Sequence, residues 1–285
     1  MHLHLNPVGG LAGDMFCAAL LDAFPEHVSA VREAISALDI PARIEVSLTE
    51  AEGPIGGKRF RVTAEGTGTT PHRHTPFGDI REFLELASLS PRVRGRALAI
   101  FSLLAEAAGK VHRIEPELVE FHEVGSWDSI ADVLGAAVLL EALKVEHASC
   151  APLPLGSGRV QSAHGVLPVP APATALLLEG LPVTDDGIPG ERVTPTGAAI
   201  LRSLTPTGVF PGCGILTASG LGFGTRELPG IPNCLQILAL ETSAAATGAS
   251  AKGMPQDRIL SLRFEVDDQT PEDLAIALEH LRATA

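Results

Sequence analysis

The stretch "LHLNPVGGLAGDMFCAALLDAF", residues 3–24, decides the class of fold. Its first five residues have the length of a β-strand, the glycines after them permit a tight turn, and apolar residues then recur with helical spacing. A strand that leads through a short turn into a helix is a building unit of layered α/β proteins. We therefore predict an α/β fold in which helices and strands are mixed.

Similar patterns continue to about residue 242, and we interpret residues 1–242 as one large α/β domain. "ARIEVSLTEAE" and "KRFRVTAEG" alternate polar and apolar residues on either side of "GPIGG", which predicts a hairpin. Prolines and glycines then separate short apolar runs, typical of many turns within the same packed unit. The other predicted elements are helices at 78–88, 91–110, 128–143, 170–180 and 196–204, and strands near 182, 215 and 236.

The end of the sequence has a different character. Residues 243–256 are small and polar, which predicts a flexible linker. Residues 257–285 have the pattern of a strand and a helix, with Thr270 at the N-cap and Pro271 at the first helical position. One strand and one helix cannot close a hydrophobic core, so we expect the start of a ferredoxin-like second domain that is truncated or completed by another chain.

Charge and composition exclude several functions. With a net charge of -13 over 285 residues, the chain would be repelled by nucleic-acid phosphates and by anionic membranes. Its most apolar stretch, "ADVLGAAVLLEAL", is too short and too acidic to span a bilayer. The four cysteines form no CxxC pair and the first residues do not resemble a signal segment, so we expect a cytoplasmic protein with reduced thiols.

A histidine and several acids are concentrated in "EFHEVGSWDSIADVLGAA", residues 120–137. His122, Glu123 and Asp128 offer an imidazole and two carboxylates, the residue types of a hard or borderline metal site. If the helix begins shortly before Asp128, then Asp128 and Asp132 lie on one helix face. The alternative is that the acids only charge the N-terminus of a core helix, and spacing alone leaves the two interpretations even.

One further histidine pair is a candidate for metal binding, and a second pair lies on the first strand. His72 and His74 lie in a polar loop five residues or more before Asp79, although histidines in such a loop are also commonly solvated. His2 and His4 face the same side of the first strand, where a partly exposed sheet edge would account for them equally well.

Several turns have the composition of an anion-binding site. Glycines before a helix can bring backbone N–H groups to a phosphate, but Asp14 would repel that phosphate unless a cation intervened, and a tight structural turn is the alternative. The residues that we single out for an anionic substrate are Gly10, Gly13, Ser157, Arg159, His164, Thr194, Thr196 and Gly197. No GxSxG elbow or cysteine cluster is present, so the sequence does not support a hydrolase with a serine or cysteine nucleophile.

Taken together, seven motifs resemble the LarC-type nickel insertion proteins, in the family's order and over nearly the whole chain. They are "GGLAGDMFCAALLD", "HRHTPFGDI", "RALAIFSLLAEAAGKVH", "FHEVGSWDSIADVLGAA", "PLPLGSGRVQSAHGVLPVPAPAT", "TPTGAAIL" and "VDDQTPEDL".

The resemblance implies a nickel chelatase, or cyclometallase, of the lyase class. Such a protein uses CTP, with Mg²⁺ or Mn²⁺, to insert Ni²⁺ into pyridinium-3,5-bisthiocarboxylic acid mononucleotide. The product is the nickel-pincer nucleotide of lactate racemase-type enzymes, with carbon–nickel and sulfur–nickel bonds. Imidazoles and carboxylates suit this task, because they bind Ni²⁺ without trapping it as thiolates would.

The resemblance marks the following positions as site candidates, and their roles are assigned from side-chain chemistry. We assign catalytic roles to Asp14, His122, Glu123 and Asp128, and metal binding to His72, His74, Asp79, His122, Glu123 and Asp128. The family usually has an acid where this chain has Asn6 and a serine where it has Gly9. Family members also usually continue into a C-terminal domain associated with CTP. We therefore expect either that a separate C-terminal subunit completes this protein or that this chain does not perform the full reaction. We also expect self-association into a homo-oligomer. The competing functions are a non-catalytic nickel- or nucleotide-binding module and, on histidine and aspartate content alone, a metal-dependent phosphohydrolase.

Overall fold

The computed structural model describes residues 1–40, 43–65, 75–121, 126–162, 165–208, 210–211 and 213–241. Helices and strands alternate along these residues, which confirms the predicted α/β class. The strands are β1 (His2–Asn6), β2 (Arg43–Glu50), β3 (Lys58–Glu65), β4 (Thr75–Pro76), β5 (Glu120–Phe121), β6 (His147–Cys150), β7 (Leu153–Pro154), β8 (Arg159–Ser162), β9 (Gly165–Pro168), β10 (Val183–Thr184), β11 (Ile215–Phe223) and β12 (Cys234–Glu241).

Seven α-helices are found in the described part of the chain, together with two short 3₁₀ turns at Pro25–His27 and Pro116–Leu118. The helices are α1 (Gly13–Ala23), α2 (Val28–Ser36), α3 (Phe77–Leu86), α4 (Pro91–His112), α5 (Trp127–Ala142), α6 (Pro172–Leu178) and α7 (Pro195–Ser203). Several begin with proline at the first helical position, where its missing N–H costs nothing.

A six-stranded mixed sheet organises the fold, in the order β2-β3-β11-β12-β1-β6. The β2–β3 and β11–β12 pairs are antiparallel, β12 also runs antiparallel to β1, and β1 runs parallel to β6. Leu3 and Leu5 of β1 pair with Ala239 and Ile237 of β12, and all four side chains are buried on the same face. The alternation along β1 therefore sends its leucines into the core.

Helix α1 lies unusually close to β11 because two glycines of that strand leave room for it. A Cβ on Gly220 would overlap the carbonyl oxygen of Ala19, and one on Gly222 would overlap that of Met15. This close approach fixes the first turn of α1, where Asp14 lies, relative to the sheet.

The opposite face of β1 carries His2 and His4, which are buried rather than at a partly exposed edge, so that expectation was wrong. The reason is that β1 is an interior strand, paired on both sides. His4 Nε2 donates to Asn6 Oδ1 (3.0 Å), and both imidazoles contact Ser149 Oγ at 2.8 Å. Burial lowers the pKa of each histidine, so both favour the neutral form.

The elements predicted between residues 1 and 242 are confirmed within one to three residues wherever they are described. Helix α2, strand β6 and the β8–β9 hairpin were not predicted, because short or half-buried segments leave little periodicity. The predicted linker (243–256) and second domain (257–285) lie outside the described residues, so the domain boundaries stay a prediction. In the described ranges no helix is long and apolar enough to cross a membrane.

Candidate functional site

Two loop-to-helix turns pack against each other at the carboxyl end of β1. The N–H of Leu11 donates to the carbonyl of Arg192 (2.9 Å), and the N–H of Thr194 donates to the carbonyl of Leu11 (3.0 Å). A parallel β-bridge joins Leu11 to Val193. These contacts bring the N-terminal turns of α1 and α7 together, although about 180 residues separate them in the sequence.

The glycines of both turns are required for this packing. Gly10 has a φ of +144°, and a Cβ on it would overlap the carbonyl oxygen of Arg192. A Cβ on Gly197 would likewise overlap the carbonyl of Leu11, and the Gly197 N–H donates to the capping hydroxyl of Thr194 (3.2 Å). Close backbone packing therefore accounts for both glycines, and their role towards a phosphate stays a prediction.

Three carboxylates, which we call the acid cluster, meet beside these turns: Asp14 at the start of α1, and Asp128 and Asp132 of α5. Helix α5 begins at Trp127, so Asp128 and Asp132 lie four residues apart on one face, as predicted. Gly13 allows the close approach, since a Cβ there would lie 2.8 Å from Asp132 Oδ2.

Asp132 occupies the position at the start of α1 that the sequence suggested for a phosphate. Its carboxylate accepts a hydrogen bond from the backbone N–H of Asp14. Its other oxygen, Oδ1, is inaccessible to solvent and has no hydrogen-bond partner among the described residues. Helical spacing predicted that Asp132 shares a face with Asp128, but it does not indicate this solvent-inaccessible, unsatisfied oxygen.

Burial and mutual repulsion shift Asp14 and Asp132 towards their protonated forms. Burial raises the pKa of Asp132 well above its usual range, and the charges of Asp14 and Asp128 raise it further. Burial also raises the pKa of Asp14, against the opposing hydrogen bond from the Met15 N–H (2.7 Å). A divalent cation would relieve this repulsion, because it replaces the proton with a stronger positive charge.

The acid cluster opens into a cavity of about 630 Å³, which we call the acidic pocket. Ser126, Thr196 and Arg61 of β3 also line this pocket. Asp128 is exposed and Asp14 partly exposed, so a ligand can reach the carboxylates from solvent.

A second cavity of about 470 Å³ adjoins the first, and we call it the basic pocket. Arg159, Arg192 and Arg226 line it, together with Gln161 and Asn233. The two pockets form one continuous cleft, since both are lined by Ala12, Asp14, Glu191, Thr194 and Thr225. The cleft thus has a negatively charged end and a positively charged end, with Asp14 between them.

Arg192 forms hydrogen bonds to the glycine turn that precedes α1. Its side chain is fully buried and donates to the carbonyls of Gly9 (2.5 Å) and Val8 (3.1 Å), and to Asp186 Oδ1 (2.9 Å). Burial opposes ionisation of Asp186, but the hydrogen bonds from the Ile188 N–H and from Arg192, together with the charge of Arg192, outweigh it and lower the pKa of this carboxyl. Arg192, Arg226 and Asn233 were not identified from the sequence, because nothing local distinguishes them from surface residues.

The positions that depart from the family pattern are both explained by packing. The Oδ1 of Asn6 accepts from His4 Nε2, and its Nδ2 donates to Gln236 Oε1 (3.1 Å). Asn6 therefore links two side chains and adds no charge. A Cβ on Gly9 would lie 2.5 Å from the backbone nitrogen of Cys234, so a serine would not fit there without a shift.

The structure brings some of the predicted site residues together and leaves others apart. The cleft contains Gly13, Asp14, Asp128, Arg159, Thr194 and Thr196. Ser157 and Asp79 are exposed and line neither pocket. The positions that lie outside the described residues are His72, His74, His122, Glu123 and His164.

The acid cluster does not form a complete metal site alone. Within the described ranges, no group of three histidine, cysteine, aspartate or glutamate side chains has a geometry that could hold a metal ion. Ser126, the first described residue after the predicted ligands His122 and Glu123, lines the acidic pocket. The donor types fit a borderline divalent ion, provided that further ligands join the carboxylates.

The fold and the cleft define an α/β protein whose cleft has carboxylates at one end and guanidinium groups at the other. The chain belongs to the nickel insertion protein family, whose pattern matches residues 3–285.

Curated relatives support this assignment over almost the whole chain. A nickel insertion protein of Geobacter sulfurreducens is 41% identical over 283 residues, which are 99% of this chain and 70% of the relative. One from Geobacter metallireducens is 43% identical over 284 residues, 98% of this chain and 69% of the relative. A relative from Akkermansia muciniphila, 39% identical over 278 residues (95% of this chain, 66% of the relative), is named pyridinium-3,5-bisthiocarboxylic acid mononucleotide nickel insertion protein. No solved structure matches the chain.

Proposed function

We propose that this chain binds Ni²⁺ at the acid cluster and inserts it into a pyridinium mononucleotide held in the same cleft. The observation behind this proposal is the buried Oδ1 of Asp132, which has no described partner and lies beside two further carboxylates. A buried carboxylate without a partner is costly unless a proton or a cation satisfies it. In a family that handles nickel, the cation is Ni²⁺.

In this proposal nickel is cargo, and the ligands must release it. Asp14, Asp128 and Asp132 all line the acidic pocket, and Asp132 is partly exposed although its Oδ1 is inaccessible to solvent. Carboxylates bind Ni²⁺ less tightly than thiolates, and their protonation competes with the metal, so both features favour transfer. We propose His122 and Glu123 as the further ligands, since Ser126, the first described residue after them, lines this pocket.

The substrate and co-substrate follow from the family. We propose pyridinium-3,5-bisthiocarboxylic acid mononucleotide as substrate, which the name of the Akkermansia muciniphila relative supports. We also propose CTP, with Mg²⁺ or Mn²⁺, as co-substrate, and a lactate racemase-type enzyme as the user of the product. The unpaired cysteines suit a reducing cytoplasm.

The reaction itself is tested with purified chain, Ni²⁺ and the thiolated mononucleotide, with and without CTP and Mn²⁺, and mass spectrometry of the product. We expect a nickel adduct from the wild-type chain that Asp14→Asn does not produce. The matched control is Asp39→Asn, an exposed charge removed between α2 and β2, which should leave product formation unchanged.

Two results would overturn parts of this proposal. Nickel that binds to the acid cluster without any product, with and without CTP, would favour the nickel-binding module instead of the chelatase. Equal product from wild type and Asp14→Asn would remove the acid cluster from the reaction.

A further inference from the structure

The basic pocket contains positive charge that the acid cluster does not use. Three guanidinium groups line one cavity, against the two carboxylates of Asp14 and Glu191, in a chain whose net charge is -13, so cationic side chains are locally in excess there. A mononucleotide brings an anion, its phosphate monoester, and the proposed function requires a place for it.

Two helix N-termini border the basic pocket, those of α1 and α7, and each already directs a backbone N–H to a side-chain acceptor. The backbone N–H at the start of α1 is directed to the Asp132 carboxylate, and at α7 the Thr194 hydroxyl accepts from the Gly197 N–H. Proline at the first position of α7 contributes no N–H at all. A phosphate in this cleft must therefore be recognised mainly by side-chain cations.

Arg192 does not meet that need. Its buried guanidinium already donates hydrogen bonds to the carbonyls of Val8 and Gly9 and to the Asp186 carboxylate. Arg159 and Arg226 remain, and both are exposed to the pocket.

Arg226 is held in place by its surroundings. Its Nη1 and Nη2 donate to the carbonyls of Glu191 and Pro189, each at the long distance of 3.3 Å, and its own carbonyl accepts from Asn233 Nδ2 (2.9 Å). Gly190, whose φ is +94°, gives it space, because a Cβ there would overlap the guanidinium. A guanidinium has five N–H donors, so Arg226 keeps donors free for an incoming anion.

We infer that Arg226, with Arg159, binds the phosphate monoester of the nucleotide at the end of the cleft opposite the acid cluster. This inference rests on the proposed function and gives the substrate an orientation. The phosphate lies in the basic pocket, and the pyridinium ring extends past Asp14 towards the acidic pocket. The shared wall of Asp14, Thr194 and Thr225 then contacts the middle of the substrate.

The test compares two commercially accessible probes, nicotinate mononucleotide and the matching riboside without phosphate, by calorimetry on the full chain. We expect the wild type to prefer the mononucleotide by about tenfold or more, as charge-assisted hydrogen bonds to a phosphate provide. Arg226→Ala should lose most of that preference, Arg226→Lys should keep part of it, and Arg159→Ala should weaken it. Arg92→Ala, which removes an exposed charge from α4, is the matched control and should behave as wild type.

Failure of this inference can be separated from failure of the proposed function by a Ni²⁺ titration of the same variants. Arg226→Ala should bind Ni²⁺ like the wild type, whereas Asp132→Asn should lose Ni²⁺ and keep the preference for the mononucleotide. A wild type that binds both probes equally, or an Arg226→Ala chain that retains the full preference, would overturn the phosphate site. Loss of folding is checked by circular dichroism, and the Lys variant keeps the test decisive if the Ala variant unfolds.

Discussion

Asp132→Asn should make the protein more stable while it removes Ni²⁺ binding. The wild type buries Asp132 Oδ1 without a described partner and places its charge beside Asp14 and Asp128. A buried polar atom left unsatisfied costs about 1–3 kcal/mol, and more when it is charged. Asparagine keeps an oxygen for the Asp14 N–H and places a neutral amide nitrogen, also without a partner, where Oδ1 lay. The gain therefore comes from removing the charge and its repulsion by Asp14 and Asp128, and we expect it to be about 1–3 kcal/mol in the free energy of unfolding.

The pH dependence of this gain has a definite sign. The folded-state pKa of Asp132 is raised above the unfolded value of about 3.9, so the folded state binds more protons between those two values. Wild-type stability therefore falls as the pH rises through that window, and the asparagine variant lacks this loss. The advantage of Asp132→Asn should be small near pH 4 and largest at pH 8.

Thermal unfolding followed by circular dichroism, in EDTA and then in Ni²⁺, measures both effects. A gain of 1 kcal/mol corresponds to about 2–4 °C in Tm for a domain of this size. Ni²⁺ at about 100 times its Kd should stabilise the wild type by about 2.7 kcal/mol and the variant by almost nothing. The control, Asp39→Asn, should change neither value. A variant less stable than the wild type at pH 8, or equally stabilised by Ni²⁺, would refute the reasoning.

Three further predictions concern the scaffold. Gly222→Ala should lower the free energy of unfolding, measured in urea, by about 1–3 kcal/mol or more, because its Cβ would overlap the carbonyl oxygen of Met15. Gly78→Ala is the control in α3: its Cβ meets open space, so it should raise the free energy of unfolding by up to about 1 kcal/mol. Arg192→Met should lower the free energy of unfolding by about 2–4 kcal/mol, since the carbonyls of Val8 and Gly9 lose their hydrogen-bond donor. An unchanged midpoint of urea unfolding would contradict the structural role of Arg192. Burial lowers the folded-state pKa of His4, so the unfolded state binds more protons just below pH 6.5. The free energy of unfolding therefore falls as the pH drops through that window. His4→Gln should lose less of its free energy of unfolding than the wild type between pH 7.5 and 5.5.

The local parts of the fold could be predicted because their signals are local. The glycine turn between β1 and α1, the alternating β2–β3 hairpin and the start of α5 at Trp127 each depend on neighbouring residues. The placement of Asp128 and Asp132 on one face followed from helical spacing alone.

The remaining parts depend on partners far along the chain. His2 and His4 are buried because β12, more than 230 residues later, covers the other edge of β1. Gly10 and Gly197 resembled phosphate-binding glycines, but each is needed because the other turn packs on it. Arg226 reaches the cleft only through the pairing of β11 with β12, and no local pattern encodes that arrangement.

The most direct test of the acid cluster is anomalous diffraction at the nickel absorption edge from crystals soaked in Ni²⁺. We predict a peak in the acidic pocket within ligand distance, about 2.0–2.2 Å, of the carboxylates of Asp14 and Asp128, and no such peak in Asp132→Asn. Nickel found only elsewhere, for example on His2 and His4 at the opposite face of β1, would contradict the assignment of the acid cluster as the nickel site.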